Sequence, residues 1–558
     1  MFEKNLQFIT NEALKRRLST LTLDETRIDI SFCMTPSNDY LLMKNDVPID
    51  DINNPREAVK EMFKTTIKQE MSANDIIINF GIGLGYLLDE TFNTYPSKIL
   101  VYEPDLKLLH FVLNNIDISD HLSSGRVYIT NDLEELTQKL SSMYLTKDKV
   151  EVVYLKNYAI VHNQELLELT QNVYDTCKSK MVDINTIKRF TKNWVINTIK
   201  NLSLINSSNI YKLSDLENKF EGQAAMILAA GPSLEDNIEK IKAKRDKFVI
   251  FAVNKVFKYL VQKGITPDFV VGLDAEYMDV TFDGTDEYIK NVNYITDLRS
   301  DSEIFTKGFK KIFVSFASND LIVKKLKEFN PSIVPYEIGG SATTLAFVAA
   351  VKMGFDKVIF SGFDLAFKDN TIYATGEKLS RISEDKIIVD NVEKNVSFVP
   401  SVTGEKVLTR DDYAAFIKHF EVLVNDLNYS EIYNTTSFGA YINGVKNQDL
   451  DTISLIRPAN ITSIILGEVQ PFKIETAAWS SEELMLINNV ISLLSRGTFS
   501  PALVSAIVKS PILYQYMQSE VLSVLQSRMN DGIADEFIGQ TKNAIKEIVE
   551  LLQNYRFI

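Results

Sequence analysis

The sequence has few of the features that mark disulfide-rich or exported proteins. Only two cysteines, Cys33 and Cys177, occur among its 558 residues, and they lie far apart. A disulfide framework is therefore not expected. No apolar run approaches the roughly 18 residues of a membrane-spanning helix, and the first residues lack the basic and apolar regions of an export signal. These absences predict a cytoplasmic protein.

Positive charge is also in short supply. The chain has 60 Lys and Arg against 74 Asp and Glu, for a net charge of −14. Because nucleic acids and anionic membranes attract basic surfaces, and no long basic run is present, neither is expected as the main partner. The hydrophobic content of 45% is ordinary for a globular protein, and the length predicts two to four domains.

The sequence does contain a central region in which apolar strands alternate with helical patterns. This alternation is typical of a doubly wound, mostly parallel, Rossmann-like α/β sheet. In such sheets ligands bind outside the carboxyl ends of the strands, where the strand order switches. The predicted strands lie at residues 227–230, 248–253, 268–273, 312–316, 333–336 and 358–364.

The first of these strands runs into a turn that suits a phosphate. Residues 227–234 read ILAAGPSL. Gly231 permits close approach of a ligand, and Pro232 is well placed in a first helical turn. Ser233 then opens a helix whose free N–H groups and dipole favour an anion.

Two further loops have similar composition. Residues 338–344 read IGGSATT, so that Gly340, Ser341 and Thr343 form a second helix start of small and hydroxyl residues. Residues 358–364 read VIFSGFD, an apolar strand that ends at Gly362 and Asp364. We expect the three loops to form one nucleotide-binding mouth, together with two polar residues that follow the neighbouring strands, Asn254 and Asp274.

These segments resemble a known family, the bacterial motility accessory factors, whose central domain is similar to the bacterial sialyltransferases. The resemblance reaches to about residue 444. It implies a glycosyltransferase that moves a nonulosonic acid, such as pseudaminic or legionaminic acid, from a CMP-sugar to Ser or Thr hydroxyls of flagellin. It implies no tightly bound cofactor and leaves open whether a divalent metal takes part and what the oligomeric state is. The matching segments are residues 53–58, 79–85, 228–234, 252–254, 339–341, 345–364 and 434–444.

The resemblance also implies roles for single residues. Asn254 matches a nucleotide-binding asparagine, although a strand-end asparagine that caps local backbone is the structural alternative. Ser341 and Thr343 match a helix start that faces the nucleotide and the donor sugar. Tyr373 falls near one of two tyrosines that assist the phosphate, and Ala366 occupies about the position of the other.

The proton acceptor is the largest departure from the sialyltransferases, which use a histidine after the region that matches Tyr373. None of the four histidines lies between residues 224 and 376. Glu405 falls near the histidine's place, and a buried carboxylate with a raised pKa can accept a hydroxyl proton. We therefore predict Glu405, with Tyr373 and Asp364, as the catalytic set. His419 has a pattern more typical of a packed or surface histidine.

Two alternatives stay open. Asp274 and Asp364 are strand-end acids that would suit Mg²⁺ on a polyphosphate, and residues 265–274 also resemble the pterin pyrophosphokinases of the same wider superfamily. The length of the chain is more than such a kinase needs. The other alternative is a non-catalytic flagellin export or assembly factor with a vestigial site.

A second glycine-rich loop lies nearer the amino terminus. Residues 79–85 read NFGIGLG, and Glu103 ends the next predicted strand. The pattern resembles the nucleotide loop of S-adenosylmethionine-dependent methyltransferases. We favour glycines that serve strand-to-helix packing, because the region ends too early for a full methyltransferase domain.

The chain beyond the central region is predicted to be helical. Ser480 and Glu483 have the spacing of a capping box, and apolar residues follow at helical intervals. These helices would pack on each other or dock an amphipathic partner such as the helical parts of flagellin. The predicted domains are an N-terminal Rossmann-like α/β domain with a helical linker at 1–210, a sialyltransferase-like catalytic domain at 211–450 and a helical domain at 451–558.

Overall fold

The computed structural model describes residues 1–22, 30–145, 148–206, 209–276, 281–381, 383, 386–389, 392–455, 469–526 and 531–557. They pack into two compact units, Met1–Ile184 and Asn185–Ile558. The division into three domains at residues 210 and 450 stays a prediction, because a unit as large as the second can hold more than one domain. The predicted fold class, Rossmann-like α/β with a helical region, is confirmed.

The first unit is built on a four-stranded sheet in which every pair of strands is parallel. Its elements are α1 Phe2–Phe8, α2 Glu12–Ser19, β1 Ile30–Met34, β2 Tyr40–Lys44, β3 Val47–Pro48, α3 Pro55–Thr66, β4 Ile76–Phe80, α4 Tyr86–Thr94, β5 Lys98–Tyr102, α5 Leu106–Asn115, α6 Ser119–Ser123, β6 Val127–Thr130, α7 Leu133–Met143, β7 Val150–Tyr154, α8 Lys156–Val161 and α9 Asn163–Ile205, which continues into the second unit. The strand order is β6-β5-β4-β7, while β1, β2 and β3 form a separate antiparallel sheet.

Local sequence accounts for these elements. Every residue of β4 is buried, as expected for a parallel strand covered on both faces. Helix α3 starts at Pro55, and the side chain of Asn54 before it accepts a hydrogen bond from the Glu57 N–H. Because chain order reverses between β4 and β7, the carboxyl ends of these two strands mark a switch point.

The second unit contains the central sheet and the carboxyl-terminal helices. Short 3₁₀ turns lie at Leu213–Leu216, Arg245–Lys247 and Ser302–Thr306. The other elements are β8 Ile210–Lys212, β9 Ala224–Leu228, α10 Ser233–Ala243, β10 Val249–Val253, α11 Asn254–Gln262, β11 Phe269–Val271, α12 Asp286–Ile289, β12 Asn293–Asp297, β13 Lys311–Ala317, α13 Leu321–Phe329, β14 Pro335–Tyr336, α14 Ala342–Lys352, β15 Lys357–Ser361, β16 Ser380–Arg381, β17 Lys386–Val389, β18 Val392–Pro400, β19 Lys406–Arg410, α15 Asp411–Asp426, β20 Ile432–Asn434, β21 Lys446–Asn447, α16 Ala477–Leu494, α17 Pro501–Lys509, α18 Pro511–Tyr516, α19 Gln518–Gln526 and α20 Asp531–Asn554.

The central sheet has ten strands, in the order β14-β13-β12-β11-β10-β9-β15-β20-β21, with β8 also paired to β13. All of its strand pairs are parallel. The chain runs outward from β9 to β14 and then returns to the other side of β9 as β15. The switch point therefore lies between β9 and β15, where two of the three predicted loops begin. Strands β12 and β20 were not predicted from the sequence.

An antiparallel sheet is inserted between β15 and α15. Its four strands follow the order β16-β17-β18-β19, and β18 pairs with β19 so that Phe398 lies opposite Leu408. The sequence analysis did not predict this sheet. Its inner side packs on a small apolar cluster that includes Phe367, Ile372 and Tyr373, with Val396 and Leu408 against it. The insertion thus covers the segment that follows the third loop.

The carboxyl-terminal helices pack against the β12–β13 side of the central sheet. Trp479, Ile487 and Leu552 share one core cluster with Phe316 and Ile322. The helical prediction is therefore confirmed for this part of the chain. None of the described helices combines the length and the apolar character that crossing a bilayer requires.

The predicted capping box at Ser480 and Glu483 is wrong, because α16 starts one turn earlier, at Ala477. Ser480 lies inside the helix and donates a hydrogen bond to the Phe557 carbonyl at 3.0 Å. Glu483 is fully buried and accepts a hydrogen bond from the Ser510 hydroxyl at 2.7 Å. Burial raises the pKa of Glu483 to about 7. The pair therefore joins helices to each other and does not start one.

Candidate functional site

The first and third predicted loops are bound to each other at the switch point. The Gly231 N–H donates to the Gly362 carbonyl at 2.7 Å, and the Ala229 N–H donates to the Ser361 carbonyl at 2.9 Å. A Cβ atom added at Gly231 would lie 2.5 Å from the Gly362 carbonyl oxygen and 2.4 Å from Oδ2 of Asp364. The glycine is thus required for close approach of the chain's own atoms. Gly362 has a positive φ of 76°, and a Cβ atom added there would lie 2.4 Å from the Ala229 carbonyl oxygen.

Asp364 occupies the helix start that the sequence suggested for phosphate. Its Oδ2 accepts a hydrogen bond from the Ser233 N–H at 2.8 Å, and the Ser233 hydroxyl accepts one from the Gly362 N–H at 3.2 Å. Ser233 and Asp364 are each 1% exposed. Pro232 precedes the helix as its N-cap residue. The positive end of α10 is therefore already satisfied by a carboxylate of the protein.

Asp364 also holds a third strand end. The Ala440 N–H donates to the Asp364 carbonyl at 2.8 Å, and the Asn434 amide donates to the Phe363 carbonyl at 2.8 Å. Burial raises the pKa of Asp364, while the hydroxyls of Ser233 and Thr436 act in the opposite direction. This residue therefore joins the ends of β9, β15 and β20. The catalytic role predicted for Asp364 stays a prediction. Its side chain is shielded from solvent.

Asn254 and Asp274 lie together, as predicted for the nucleotide contacts. Asn254 begins α11, and its Nδ2 donates to Oδ2 of Asp274 at 2.5 Å. Asp274 is exposed. Both residues line a small cleft at the ends of β10, β11 and β12, with Tyr294 and Ser300 on its other side. Ser300 is 1% exposed, and its hydroxyl has no hydrogen-bond partner among the described residues.

The second loop forms the start of α14. The Ser341 hydroxyl accepts a hydrogen bond from the Thr344 N–H at 3.1 Å, and the Thr344 hydroxyl accepts one from the Ser341 N–H. This reciprocal pair is a capping box. Gly340 is exposed and Thr343 is half-buried. The first two loops pack through Ala230 and Ala342 on one core cluster that includes Ile359 from the strand of the third loop. The structure therefore brings the predicted loops to one edge of the sheet.

His419, which the sequence analysis set aside, lies against this second loop. A Cβ atom added at Gly339 would lie 2.9 Å from Nε2 of His419. That nitrogen is buried and has no hydrogen-bond partner among the described residues. Phe416, one turn earlier on α15, has a ring atom 3.6 Å from the place of a Cβ atom added at Gly340. Helix α15 thus forms one wall of the site, a contact that sequence spacing did not reveal.

A cluster of two cations and two tyrosines lies beside the first loop. Lys255 Nζ is 3.5 Å from the ring centroid of Tyr373, and the Arg410 guanidinium is 3.9 Å from that of Tyr413. The Ala374 N–H donates to the Ala230 carbonyl at 2.9 Å, which ties the cluster to the first loop. We call Lys255, Tyr373, Arg410 and Tyr413 the cation–tyrosine cluster.

The electrostatics of this cluster show that its members influence one another. Burial raises the pKa of Tyr413 far above its usual range, and the charges of Arg410 and Lys255 act against that rise. Tyr373 was predicted from the sequence, whereas Lys255, Arg410 and Tyr413 were not. The available signal was the position of Lys255 directly after Asn254. Arg410 and Tyr413 come from the unpredicted inserted sheet and from α15.

Glu405 does not meet the condition under which it was predicted as a base. It is exposed in the turn between β18 and β19, where its carbonyl accepts a hydrogen bond from the Ser401 N–H at 2.7 Å. The carboxylate is not buried. Its catalytic role stays a prediction without support from its surroundings.

Asp274 and Asp364, the two acids weighed for Mg²⁺, have different surroundings. Asp274 is exposed and bonded to Asn254, whereas Asp364 is buried and bonded to Ser233. Within the part of the chain that the structure describes, no group of three or more His, Cys, Asp or Glu side chains is arranged to hold a metal ion.

The glycine-rich loop of the first unit is filled by side chains of that unit. Gly81 has a φ of 85°, and a Cβ atom there would lie 2.6 Å from the ring of Tyr158. The Tyr158 hydroxyl donates to Glu103, whose other carboxylate oxygen accepts a hydrogen bond from the Ile82 N–H at 3.0 Å. Tyr158 and Glu103 are both 0% exposed. Glu103, which ends the strand after this loop, thus has its carboxylate occupied by groups of the same unit.

Asp50 fills the next position of the same loop. Its Oδ1 lies 2.9 Å from the place of a Cβ atom at Gly83, and its residue is 1% exposed. Burial raises the pKa of Asp50 and that of Glu103 to about 7. This arrangement supports the interpretation that the glycines serve packing.

Three comparisons with known proteins bear on this site. A family model for MptE-like 6-hydroxymethylpterin diphosphokinases matches residues 196–370. An uncharacterized protein of Treponema pallidum (strain Nichols) is 29% identical over 174 residues, which are 30% of this chain and 79% of that protein. The solved structure of a MAf glycosyltransferase from Magnetospirillum magneticum AMB-1 aligns over 100% of this chain and 97% of its own, with a TM-score of 0.65 and 14% identity. At that identity the likeness shows the fold, and it extends over the whole chain, beyond residue 444 where the sequence resemblance ends.

Proposed function

We propose that the protein is a cytoplasmic glycosyltransferase that moves a nonulosonic acid, such as pseudaminic or legionaminic acid, from a CMP-sugar to Ser or Thr hydroxyls of flagellin. The observation that carries the proposal is the likeness of the whole fold to a MAf glycosyltransferase. The convergence of the three loops at the switch point adds support, because that edge of a doubly wound sheet is where nucleotides bind. Flagellum assembly and motility would depend on this transfer.

The chain offers the polar groups that a nucleotide donor needs. The Asn254 amide and the exposed Asp274 carboxylate lie 2.5 Å apart at the ends of neighbouring strands. An amide and a carboxylate together suit the hydroxyls of a ribose and the amine of a cytosine, which offer several donors and acceptors. We assign the nucleoside end of the donor to this pair.

The test is transfer to purified flagellin from the same organism, followed by intact-mass measurement. We expect a mass gain of one or more nonulosonic acid residues with a CMP-activated donor. Asn254→Ala and Asp274→Ala should each slow the gain at least about 10-fold, since each removes a polar contact to the donor. Asn291→Ala, an exposed asparagine away from these strand ends, is the control. A folded protein that adds nothing to flagellin with any CMP-nonulosonate would contradict the proposal.

A diphosphokinase is the second candidate, because the matching family model carries that description over residues 196–370. Thermal stabilisation by ligands separates the two. A ligand at 100 times its dissociation constant adds about 2.7 kcal/mol to the folded state. Stabilisation by CMP and CTP would support the glycosyltransferase, and stabilisation by ATP only with Mg²⁺ would support the kinase. A flat response to both would favour a non-catalytic flagellin assembly factor.

A further inference from the structure

An anionic donor needs positive charge at the switch point, and the usual source is not available. The start of α10 would normally attract a phosphate, but its Ser233 N–H is bonded to the buried carboxylate of Asp364 at 2.8 Å. A phosphate there would have to displace this buried side chain and break its hydrogen bond to the Ser233 N–H. Positive charge for the donor must therefore come from side chains.

Lys255 is the first such side chain. It is exposed and follows Asn254 directly in α11, so a nucleotide held by Asn254 would lie within its reach. Its Nζ lies 3.5 Å from the ring centroid of Tyr373. Contact with the ring face fixes the flexible side chain while the charge is kept.

Arg410 is the second. Its guanidinium lies 3.9 Å from the ring centroid of Tyr413, and its Nε lies 2.7 Å from Asp412. Asp412 in turn lies 3.1 Å from Lys394. A planar guanidinium held on an aromatic ring is suited to a carboxylate or phosphate, which it binds through two parallel N–H groups. The Lys394 charge offsets part of the Asp412 charge.

The two cations act in one place. Tyr373 and Tyr413, whose rings contact the two cations, pack in one apolar cluster, and the Ala374 N–H next to Tyr373 is bonded to the Ala230 carbonyl of the first loop. We propose that Lys255 and Arg410 form an anion clamp that holds the acidic group of the donor, in place of the start of α10. The ligand class rests on the proposed function: the anion is either the nucleotide phosphate or the sugar carboxylate.

The test is calorimetric binding to five probes: CMP, cytidine, N-acetylneuraminic acid, inorganic phosphate and ATP with Mg²⁺. CMP and cytidine differ only in the phosphate, and N-acetylneuraminic acid carries only the carboxylate. The variants are Lys255→Gln and Arg410→Gln, each of which removes one charge. The matched control is Lys258→Gln, because Lys258 lies on the same helix and its Nζ is 3.4 Å from Asp283. Arg410→Lys keeps the charge in case the Gln variant fails to fold.

We expect Lys255→Gln and Arg410→Gln to weaken CMP binding about 10- to 100-fold, the effect of losing one charge-assisted hydrogen bond, with cytidine unchanged. Added salt should weaken CMP binding less in the variants than in the wild type. If the loss appears with N-acetylneuraminic acid and not with CMP, the clamp holds the carboxylate. Arg410→Lys should retain part of the affinity, because it loses the bidentate geometry but not the charge.

The remaining outcomes separate the clamp from the glycosyltransferase. Binding of both CMP and N-acetylneuraminic acid that is unchanged in both charge-removing variants overturns the clamp and leaves the proposed function standing. Binding of ATP, but not of CMP, that depends on Lys255 and Arg410 keeps the clamp and overturns the glycosyltransferase. A wild-type protein that binds none of the anionic probes, nor ATP, overturns the clamp.

Discussion

At the scale of single residues, Asp364 shows how one buried residue can hold several strand ends. It accepts a hydrogen bond from the Ser233 N–H through its side chain and one from the Ala440 N–H through its main-chain carbonyl. Only the first bond depends on the side chain, and the buried carboxyl group is expensive to remove because the Ser233 N–H would lose its partner without regaining water. The same ties make the residue a stability determinant whether or not it takes part in catalysis.

We expect Asp364→Ala to lower the free energy of unfolding by about 3 kcal/mol, measured by urea denaturation. Asp364→Asn keeps an acceptor for the Ser233 N–H and should be much closer to the wild type. Burial raises the pKa of Asp364, so its stabilising contribution is present at low pH and lost as the pH rises through that raised value. Asparagine should therefore gain on the wild type at higher pH. Equal losses in the two variants would contradict this account.

Glu103 gives a second pH-dependent prediction. Burial raises its pKa from 4.5 to about 7. The folded state therefore binds the proton more tightly, and stability falls as the pH rises from the lower value through the higher one, by up to about 3 kcal/mol. Asp50 acts in the same direction. We expect Glu103→Gln to flatten the stability profile of the first unit, and Glu103→Gln with Asp50→Asn to flatten it further. An unchanged profile in the double variant would refute the role of these carboxyls.

At the scale of elements, the turn between β9 and α10 depends on a missing side chain. In Gly231→Ala the new Cβ would meet a backbone oxygen at 2.5 Å, so the two loops must separate. We expect a loss of about 2–4 kcal/mol in unfolding free energy. The control is Gly539→Ala in α20, where nothing lies within 4 Å and alanine should add up to about 1 kcal/mol. A neutral Gly231→Ala would mean that the loops are not in contact.

The end of β13 is joined to α18 by one amide side chain. Gln515 donates to Asp320 at 2.9 Å and accepts from the Leu321 N–H at 3.3 Å, and both side chains are buried. Gln515→Ala leaves a carboxylate and an N–H without these partners, and should lower the unfolding free energy by about 2 kcal/mol. Exposed Gln553 on α20 is the control, with an expected change within about 0.5 kcal/mol. Similar values for the two variants would contradict the assigned bond.

At the scale of the whole molecule, packing into two units predicts two unfolding steps. Calorimetry should resolve two transitions, because each unit has its own core. Glu103→Gln should move the transition of the first unit, and Gln515→Ala that of the second. A single transition that both variants shift would show that the chain unfolds as one cooperative body.

Much of this architecture could be predicted from the sequence, and the failures have physical causes. Strands such as β9, β10 and β15 are apolar runs followed by turn residues. The apolar run and the turn residues that end it are together enough to identify each strand. Strand β12 contains Asn293, Thr296 and Asp297, and these polar residues interrupt the apolar pattern by which a buried strand is identified. The loops of the candidate site were predicted, but Arg410 and His419 reach it from elements that have no motif, and Lys255 is marked only by its place after Asn254. The spacing of residues along one segment does not show which residues of distant segments the fold brings into contact.

The filled loop of the first unit has a consequence for any small molecule that would bind there. Tyr158 belongs to the same chain as Gly81 and Glu103, so it competes as a tethered occupant. Short tethers hold a group at an effective concentration of about millimolar or more. A free nucleoside must displace this side chain, so its affinity falls by the ratio of that effective concentration to the intrinsic dissociation constant of the Tyr158 contact. A glycine pattern that in other proteins binds a cofactor therefore binds, in this protein, a side chain of its own chain, and that side chain cannot dissociate.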